Sequence, residues 1–209
     1  MKLFITAAAA ATLSIAVAPA SYAQEPPTAT EAGASLLALV NLPATGGAKL
    51  TVTSPAFKTG ADIPFENTQY KGNIFPGLSW TKGPAATKSY AVIMQDGDAM
   101  RNGAPIFHWS LMNVPAAVTK LDAAMAAPPA GAEYGPNMRG MAQAYMGPHT
   151  PAGPKHRYHL QLFALDIVLP HDAGASYDAL TAAMKGHVLA SGELIGLGQV
   201  GPVQAPPLR

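Results

Sequence analysis

Residues Tyr145–Asp166 have the sequence YMGPHTPAGPKHRYHLQLFALD, which changes character halfway. The first half contains five glycine and proline residues and is predicted to be a loop. The second half begins at His156 and lacks both residue types, which predicts a strand. Because strand side chains alternate, His156 and Tyr158 share one face, and Arg157 and His159 share the other. Two polar rings at the mouth of a sheet favour a small pocket for a polar ligand, with a hairpin end carrying surface histidines as the alternative.

The composition limits the classes of function. The chain has 209 residues, no cysteine and a formal net charge of +1. Nucleic-acid binding and a polybasic membrane patch both require a basic surface, so neither is expected. The lack of cysteine excludes a thiol nucleophile and cysteine-ligated zinc. The 20 glycine and 20 proline residues indicate many turns and favour a β-rich domain.

The first residues have the pattern of a secretion signal, predicted over residues 1–23. Lys2 gives the positive start, Leu3–Val17 is apolar, and Ser21-Tyr22-Ala23 is a small-x-small cleavage site. The apolar run is too short to cross a membrane, so no transmembrane segment is expected. We therefore predict a periplasmic or secreted protein whose mature chain starts near Gln24.

The rest of the chain is predicted to hold one domain. Residues 24–48 are rich in proline, alanine, threonine and glycine, which predicts an N-terminal tail. The domain is predicted over residues 49–197, with a C-terminal tail at 198–209. Within it, residues 116–144 have no clear periodicity and are predicted to be an irregular surface excursion.

Polar residues occur where predicted strands meet loops. Ser89–Gln95 is a continuous apolar strand that runs into Asp96-Gly97-Asp98, and Phe107–Val114 is the next strand. A helix capped by Ser176 is predicted to stop near Gly192. The acidic run could also be a solvated turn, and the histidine of the second strand could be a satisfied core residue. The three polar clusters are Asp96 with Asp98, His108, and His156 with Tyr158.

Several segments together resemble the phosphatidylethanolamine-binding protein family, in particular its bacterial YbhB/YbcL-type, Raf-kinase-inhibitor-like members. The matching segments are LTVTSPAFKTGADIP, FPGLSW, QDGDAM, FHWSLMNVPA and YMGPHTPAGPKHRYHLQLFALD. The resemblance covers roughly residues 49–197. It implies a mainly β fold, an antiparallel β-sandwich with a Greek-key arrangement and a few flanking helices. It also implies a small anion pocket at one end of the sheet.

The resemblance predicts the pocket residues, with no catalytic residue, no metal ligand and no cofactor. Histidine and tyrosine side chains can donate hydrogen bonds to an anion, and the Gly147 amide can approach a ligand closely. Asp96 is assigned to orienting a histidine, and Asp98 to a loop or histidine contact. The predicted ligand-binding residues are Asp96, Asp98, His108, Gly147, Pro148, His156 and Tyr158.

Some positions depart from the family pattern. Gly97 and Met100 stand where the acidic motif has prolines, so a more flexible loop is expected here. His149 and Thr150 follow the Gly-Pro pair and could change the ligand preference.

The leading functional prediction is a non-enzymatic binding protein for phosphate, carboxylate or a phospholipid headgroup. Since an unperturbed histidine titrates at about pH 6.5, anion affinity is expected to grow as the pH falls through that region. One alternative is a hydrolase or metal-dependent enzyme that uses Asp96, His108 and His156. Another is a protease inhibitor or interaction module that uses residues 116–144. The sequence leaves open a protein partner and a homodimer.

Overall fold

The computed structural model describes residues 31–139 and 144–198. The expected signal at 1–23 lies outside these residues, as does the expected C-terminal tail beyond Gly198. No helix in the described part is both long and apolar enough to cross a bilayer.

The described residues form two sheets. The six-stranded sheet has the order β1-β9-β8-β4-β5-β7, and the three-stranded sheet has the order β2-β3-β6. The strands are β1 (Ala48–Lys49), β2 (Val52–Thr53), β3 (Leu78–Trp80), β4 (Ser89–Arg101), β5 (Ala104–Pro115), β6 (Lys120–Leu121), β7 (Glu133–Tyr134), β8 (His156–Leu165) and β9 (Val188–Gly198). All neighbouring strands pair antiparallel except β1 and β9, which are parallel.

Helical segments are few and short. They are α1 (Ala38–Asn41), α2 (Tyr177–Met184) and three 3₁₀ turns at Ala34–Leu36, Phe65–Asn67 and His171–Ala175. The predicted mainly β fold with a few flanking helices is therefore confirmed.

Alternating side chains of the central strands supply two cores. On one face of the large sheet, Val92, Met94 and Leu160 pack against the small sheet through residues such as Leu78 and Trp80. On the other face, apolar residues of β4 and β8 pack under α1 and α2; they include Ala91, Ile93, Phe163, Leu180 and Met184. The large sheet is thus buried on both sides, which matches the continuous apolar strands of the sequence.

The N-terminal segment is more ordered than a tail. Residues 24–48 were predicted to be a tail, but from Glu31 onward this segment packs on the large sheet. The backbone N–H of Ala38 donates to Gln95 Oε1 at 2.8 Å, and that of Leu39 donates to Gln161 Oε1 at 2.6 Å. Because Ala38 and Leu42 are buried against the sheet, the segment completes the second core.

Two other expectations need correction. The described part of residues 116–144 lies mostly at the surface, as expected, but it is not wholly irregular, because β6 and β7 pair with the two sheets and residues 135–137 are buried. Helix α2 is capped by Ser176 as predicted, but it ends at Met184 rather than near Gly192. Gly186 has a φ of 83° just after the helix, and the chain then enters β9, where pairing with β8 overrides the helical spacing.

Candidate functional site

The site lies at irregularities of the β4–β5 hairpin. A two-residue turn at Asn102-Gly103 closes the hairpin, with φ values of 53° and 80° that suit a type I′ turn. On β4, residues 97–99 bulge out of the ladder directly after Asp96. On β5, His108 is the extra residue of a second bulge. Bulges re-aim side chains, and both of these deliver a polar group to the same end of the sheet.

Asp96 orients His156, as predicted. The Asp96 side chain is buried, and its Oδ1 accepts the backbone N–H groups of Asp98 at 2.9 Å and Ala99 at 3.0 Å. Its Oδ2 lies 2.8 Å from His156 Nδ1. The bulge therefore wraps its own backbone around one carboxylate oxygen and leaves the other for the neighbouring strand.

Asp98 anchors the bulge to β8 rather than lining the pocket. Its Oδ2 accepts the backbone N–H of Arg157 at 2.6 Å, and its Oδ1 accepts the guanidinium of the same residue at 2.9 Å. Burial raises the pKa of Asp98, while the hydrogen bond and the charge of Arg157 act in the opposite direction. Arg157 lies on the strand face opposite His156, as the alternation predicted.

His108 is a buried ring at the base of the site. Its Nδ1 lies 3.1 Å from the carbonyl oxygen of Gly147. Because a carbonyl only accepts, this nitrogen carries the hydrogen. Burial lowers the pKa of His108 to about 4, although the Asp96 charge and the Gly147 carbonyl oppose this shift. His108 is therefore neutral at neutral pH, and its titration lies below the region near pH 6.5 expected from the sequence.

Gly147 has a different role from the predicted one. Its backbone N–H donates to Asn73 Oδ1 at 2.8 Å, so this amide is already engaged and does not face a ligand. Its carbonyl accepts from Gln69 Nε2 at 2.7 Å as well as contacting His108. Pro148 is also buried, and its carbonyl accepts the backbone N–H of Gln69. The Gly-Pro pair thus positions the pocket wall.

Tyr158 lies beneath the pocket. The side chain is fully buried, and its ring meets the His108 ring edge to face with centroids 5.1 Å apart. Its hydroxyl accepts the backbone N–H of His149 at 3.3 Å and lies 3.2 Å from Thr150 Oγ1. Burial, and then the Asp96 charge, raises the pKa of Tyr158, so the phenol stays protonated.

These groups border a cavity of about 310 Å³. Its lining residues are Gln69, Asp96, Ala99, Arg101, Ile106, His108, Met138, Arg139, His149 and Pro151. Of the predicted site residues, only Asp96 and His108 belong to this lining. His156 and Tyr158 support it from behind, each in contact with one of those two residues.

Two positively charged side chains of the pocket were not predicted from the sequence. Arg101 and Arg139 both line it and are exposed, and neither forms a salt bridge with another described residue. Arg101 immediately precedes the Asn102-Gly103 turn, a signal that could have placed it at the tip of the hairpin. Arg139 was not predicted because it follows the buried residues 135–137, which the sequence placed in an irregular surface segment.

Comparisons with known proteins agree with this architecture. Residues 53–199 match the family described as phosphatidylethanolamine-binding protein. The chain is 38% identical over 151 residues to a UPF0098 protein of Methanothermobacter thermautotrophicus, covering 71% of this chain and 97% of that one. It is 34% identical over 136 residues to LppC of Mycobacterium tuberculosis, which carries the name of a lipoprotein, with 64% of each chain covered.

A solved structure shows the same fold. E. coli YbcL, described as a member of the mammalian PEBP family, superposes with a TM-score of 0.67 at 28% identity. The superposition covers 74% of this chain and all of the YbcL chain. The family match, the relatives and the shared fold together show that this chain belongs to the phosphatidylethanolamine-binding protein family.

Proposed function

We propose that this chain is an exported binding protein whose cavity holds a small anionic group: a phosphate, a carboxylate or a phospholipid headgroup. The observation that carries the proposal is the pair of guanidinium groups at the cavity, Arg101 and Arg139, without salt-bridge partners among the described residues. Guanidinium groups bind carboxylates and phosphates through paired hydrogen bonds, so an anion in the cavity would use positive charges that no described residue pairs with.

The cavity size supports a small ligand. Its volume of about 310 Å³ lies at the lower end of the range for ligand sites, about 300–1,000 Å³. The floor carries the Asp96 carboxylate and the neutral His108 ring, so the attraction for an anion comes from the rim. We therefore expect weak binding.

Titration calorimetry with inorganic phosphate and phosphoethanolamine tests the proposal. Replacing Arg101 or Arg139 with glutamine should each lower the affinity by about tenfold, because each change removes a charge-assisted hydrogen bond. Lys82→Gln is the matched control, since it removes one exposed positive charge next to Gly83, whose N–H donates to Tyr90 near the start of β4, whereas the cavity lies at Asp96 and beyond. Its affinity should equal that of the unchanged protein.

Two outcomes would count against the proposal. Affinities that are equal in all three variants would mean that the anion does not bind at this cavity. Binding that requires an added divalent metal ion would favour the metal-dependent enzyme instead.

Export is the second part of the proposal. It rests on the pattern of residues 1–23 and on the similarity to a relative named as a lipoprotein. Mass spectrometry of the protein purified from the producing cell should find a mature chain starting near Gln24. An intact Met1 terminus would contradict export through cleavage.

A further inference from the structure

The tip of the β4–β5 hairpin carries an Asn-Gly pair, Asn102-Gly103, for which the proposed function gives no role. Of the six asparagine residues in the chain, Asn102 alone is followed by glycine. Asn102 and Gly103 are both exposed, and so are Arg101 and Ala104 on either side of them. The whole tip therefore lies in water.

The side chain of Asn102 forms no hydrogen bond with another described residue. Nothing lies within 4 Å of a Cβ built on Gly103, so the following amide is unhindered as well. The other asparagine side chains all bond to backbone groups and precede a residue with a side chain; they are Asn41, Asn67, Asn73, Asn113 and Asn137.

The tip is also weakly held to the rest of the sheet. Beyond the bulge at residues 97–99, the ladder has two residue pairs, Met100 with Pro105 and Arg101 with Ala104. Proline has no N–H to donate to this short ladder. A segment with few backbone hydrogen bonds and exposed side chains opens locally at low cost. The backbone nitrogen of Gly103 can then swing out of the turn toward the Asn102 side chain.

We propose that Asn102-Gly103 is a self-modification site, at which the asparagine converts to aspartate and isoaspartate. The Gly103 nitrogen attacks Cγ of Asn102 and closes a succinimide ring. The Cγ–Nδ2 bond breaks, and the side-chain nitrogen leaves as ammonia with the proton of the Gly103 N–H. Water then opens the ring. Attack at Cγ gives aspartate, and attack at the main-chain carbonyl carbon gives isoaspartate. Water is consumed and ammonia released, so the step requires no oxidant or reductant.

Both products place a new carboxylate beside Arg101. Arg101 and Asn102 line one cavity on the flank of the hairpin, and Arg101 also lines the cavity proposed for the anion. The carboxylate offers this guanidinium a partner that the described residues do not supply. Isoaspartate also adds a methylene to the main chain of the turn, which disturbs the pairing of Arg101 with Ala104. This effect rests on the proposed function, and it predicts that anion affinity falls as the protein ages.

Ageing the full protein in water labelled with heavy oxygen, at mildly alkaline pH, tests the chemistry. Ring opening adds a labelled oxygen, which mass spectrometry of tryptic peptides locates. Conversion at Asn102 should be at least about tenfold faster than at Asn41, because Asn41 must first release a hydrogen bond and precedes the bulkier Leu42. Asn41 is also exposed, so solvent access alone does not separate the two. Chromatography should resolve an aspartate and an isoaspartate form of the Asn102 peptide.

Asn102→Gly is the matched variant. A Gly-Gly pair suits the same type I′ turn but has no side-chain amide to lose. This variant should take up no label at the turn and should keep its phosphate affinity after ageing. The unchanged protein should lose affinity by about threefold to tenfold once Asn102 has converted, and Asn102→Asp should show a loss before any ageing.

The outcomes separate this inference from the proposed function. Conversion at Asn102 no faster than at Asn41 would overturn the modification site. Conversion that leaves phosphate affinity unchanged, or an equal loss of affinity in Asn102→Gly, would overturn its effect on binding. If fresh protein binds no phosphate, the proposed function fails, whereas the label at Asn102 still decides the modification site.

Discussion

Gly147→Ala should damage both stability and the pocket, because a Cβ atom has no room there. The added Cβ would lie 2.3 Å from the backbone oxygen of Asn67 and 2.9 Å from the Tyr145 ring. The backbone oxygen cannot rotate away, so the loop would have to move by about 1 Å to reach ordinary contact. That shift disturbs the hydrogen bonds of Gly147 to Asn73, Gln69 and His108.

The expected cost follows from these contacts. Overpacking costs about 1–3 kcal/mol, and each weakened hydrogen bond adds about 1 kcal/mol. Since neighbouring effects overlap, we expect a total loss of about 2–4 kcal/mol in the free energy of unfolding.

Urea unfolding followed by tryptophan fluorescence measures this loss, because Trp80 and Trp109 are both buried. Gly46→Ala is the control: nothing lies within 4 Å of a Cβ added there, so its stability should be unchanged or slightly higher. If the two variants unfold within about 0.5 kcal/mol of each other, the packing argument for Gly147 is refuted.

Three further predictions concern stability. Burial lowers the pKa of His108 to about 4 in the folded protein, whereas a histidine in the unfolded chain has a pKa of about 6.5. Between these two pH values the unfolded chain therefore binds more protons than the folded protein does. Stability should fall by up to about 3 kcal/mol as the pH drops through this window, and His108→Gln should lose that component in parallel urea titrations. Trp109→Ala should cost about 3–5 kcal/mol in the same assay, and a cost below about 1 kcal/mol would mean that its burial is misassigned. Asp96→Asn should cost about 1.5–3 kcal/mol through its bond to a histidine, whereas Asp122→Asn, in an exposed ion pair, should leave the urea midpoint unchanged.

The strands and the core were predictable from local pattern. The run from His156 contains no breaker and becomes β8, and the alternation that separates His156 from Arg157 holds in the structure. Ser176 caps α2 by accepting the backbone N–H of Ala179. This cap was predictable because a serine directly before an apolar helical repeat is a local signal. Strand alternation and helix capping depend on residues that are close in sequence, so they can be predicted from a single sequence.

The pocket geometry was less predictable because it depends on partners distant in sequence. His108 points into the pocket because it is the extra residue of a β-bulge. The bulge depends on how β5 is aligned with β4, and the sequence of β5 alone does not show that alignment. Gly147 was expected to offer its amide to a ligand, but Asn73, 74 positions away, already takes that N–H. Arg101 precedes a turn and Arg139 follows the buried residues 135–137, and only the folded chain shows that both side chains reach the same cavity.

Gly97 shows how one departure from the family pattern is compensated. A proline there would fix φ and stiffen the bulge by itself. Here a Cβ at Gly97 would already lie 3.0 Å from Glu31 Oε1 and from His159 Nε2, so the space of a larger residue is filled by the N-terminal segment and by β8.

That segment holds the bulge from outside the pocket. The backbone N–H of Gly33 donates to the Gly97 carbonyl at 2.8 Å, and Glu31 pairs with His159 at 2.7 Å. Arg157 joins Glu31, at 3.5 Å, to Asp98, at 2.9 Å. These contacts hold the bulge at a position where the family pattern has a proline. Gly97 and the N-terminal segment packed over it therefore act together to hold the bulge whose backbone surrounds Asp96, the carboxylate that orients His156.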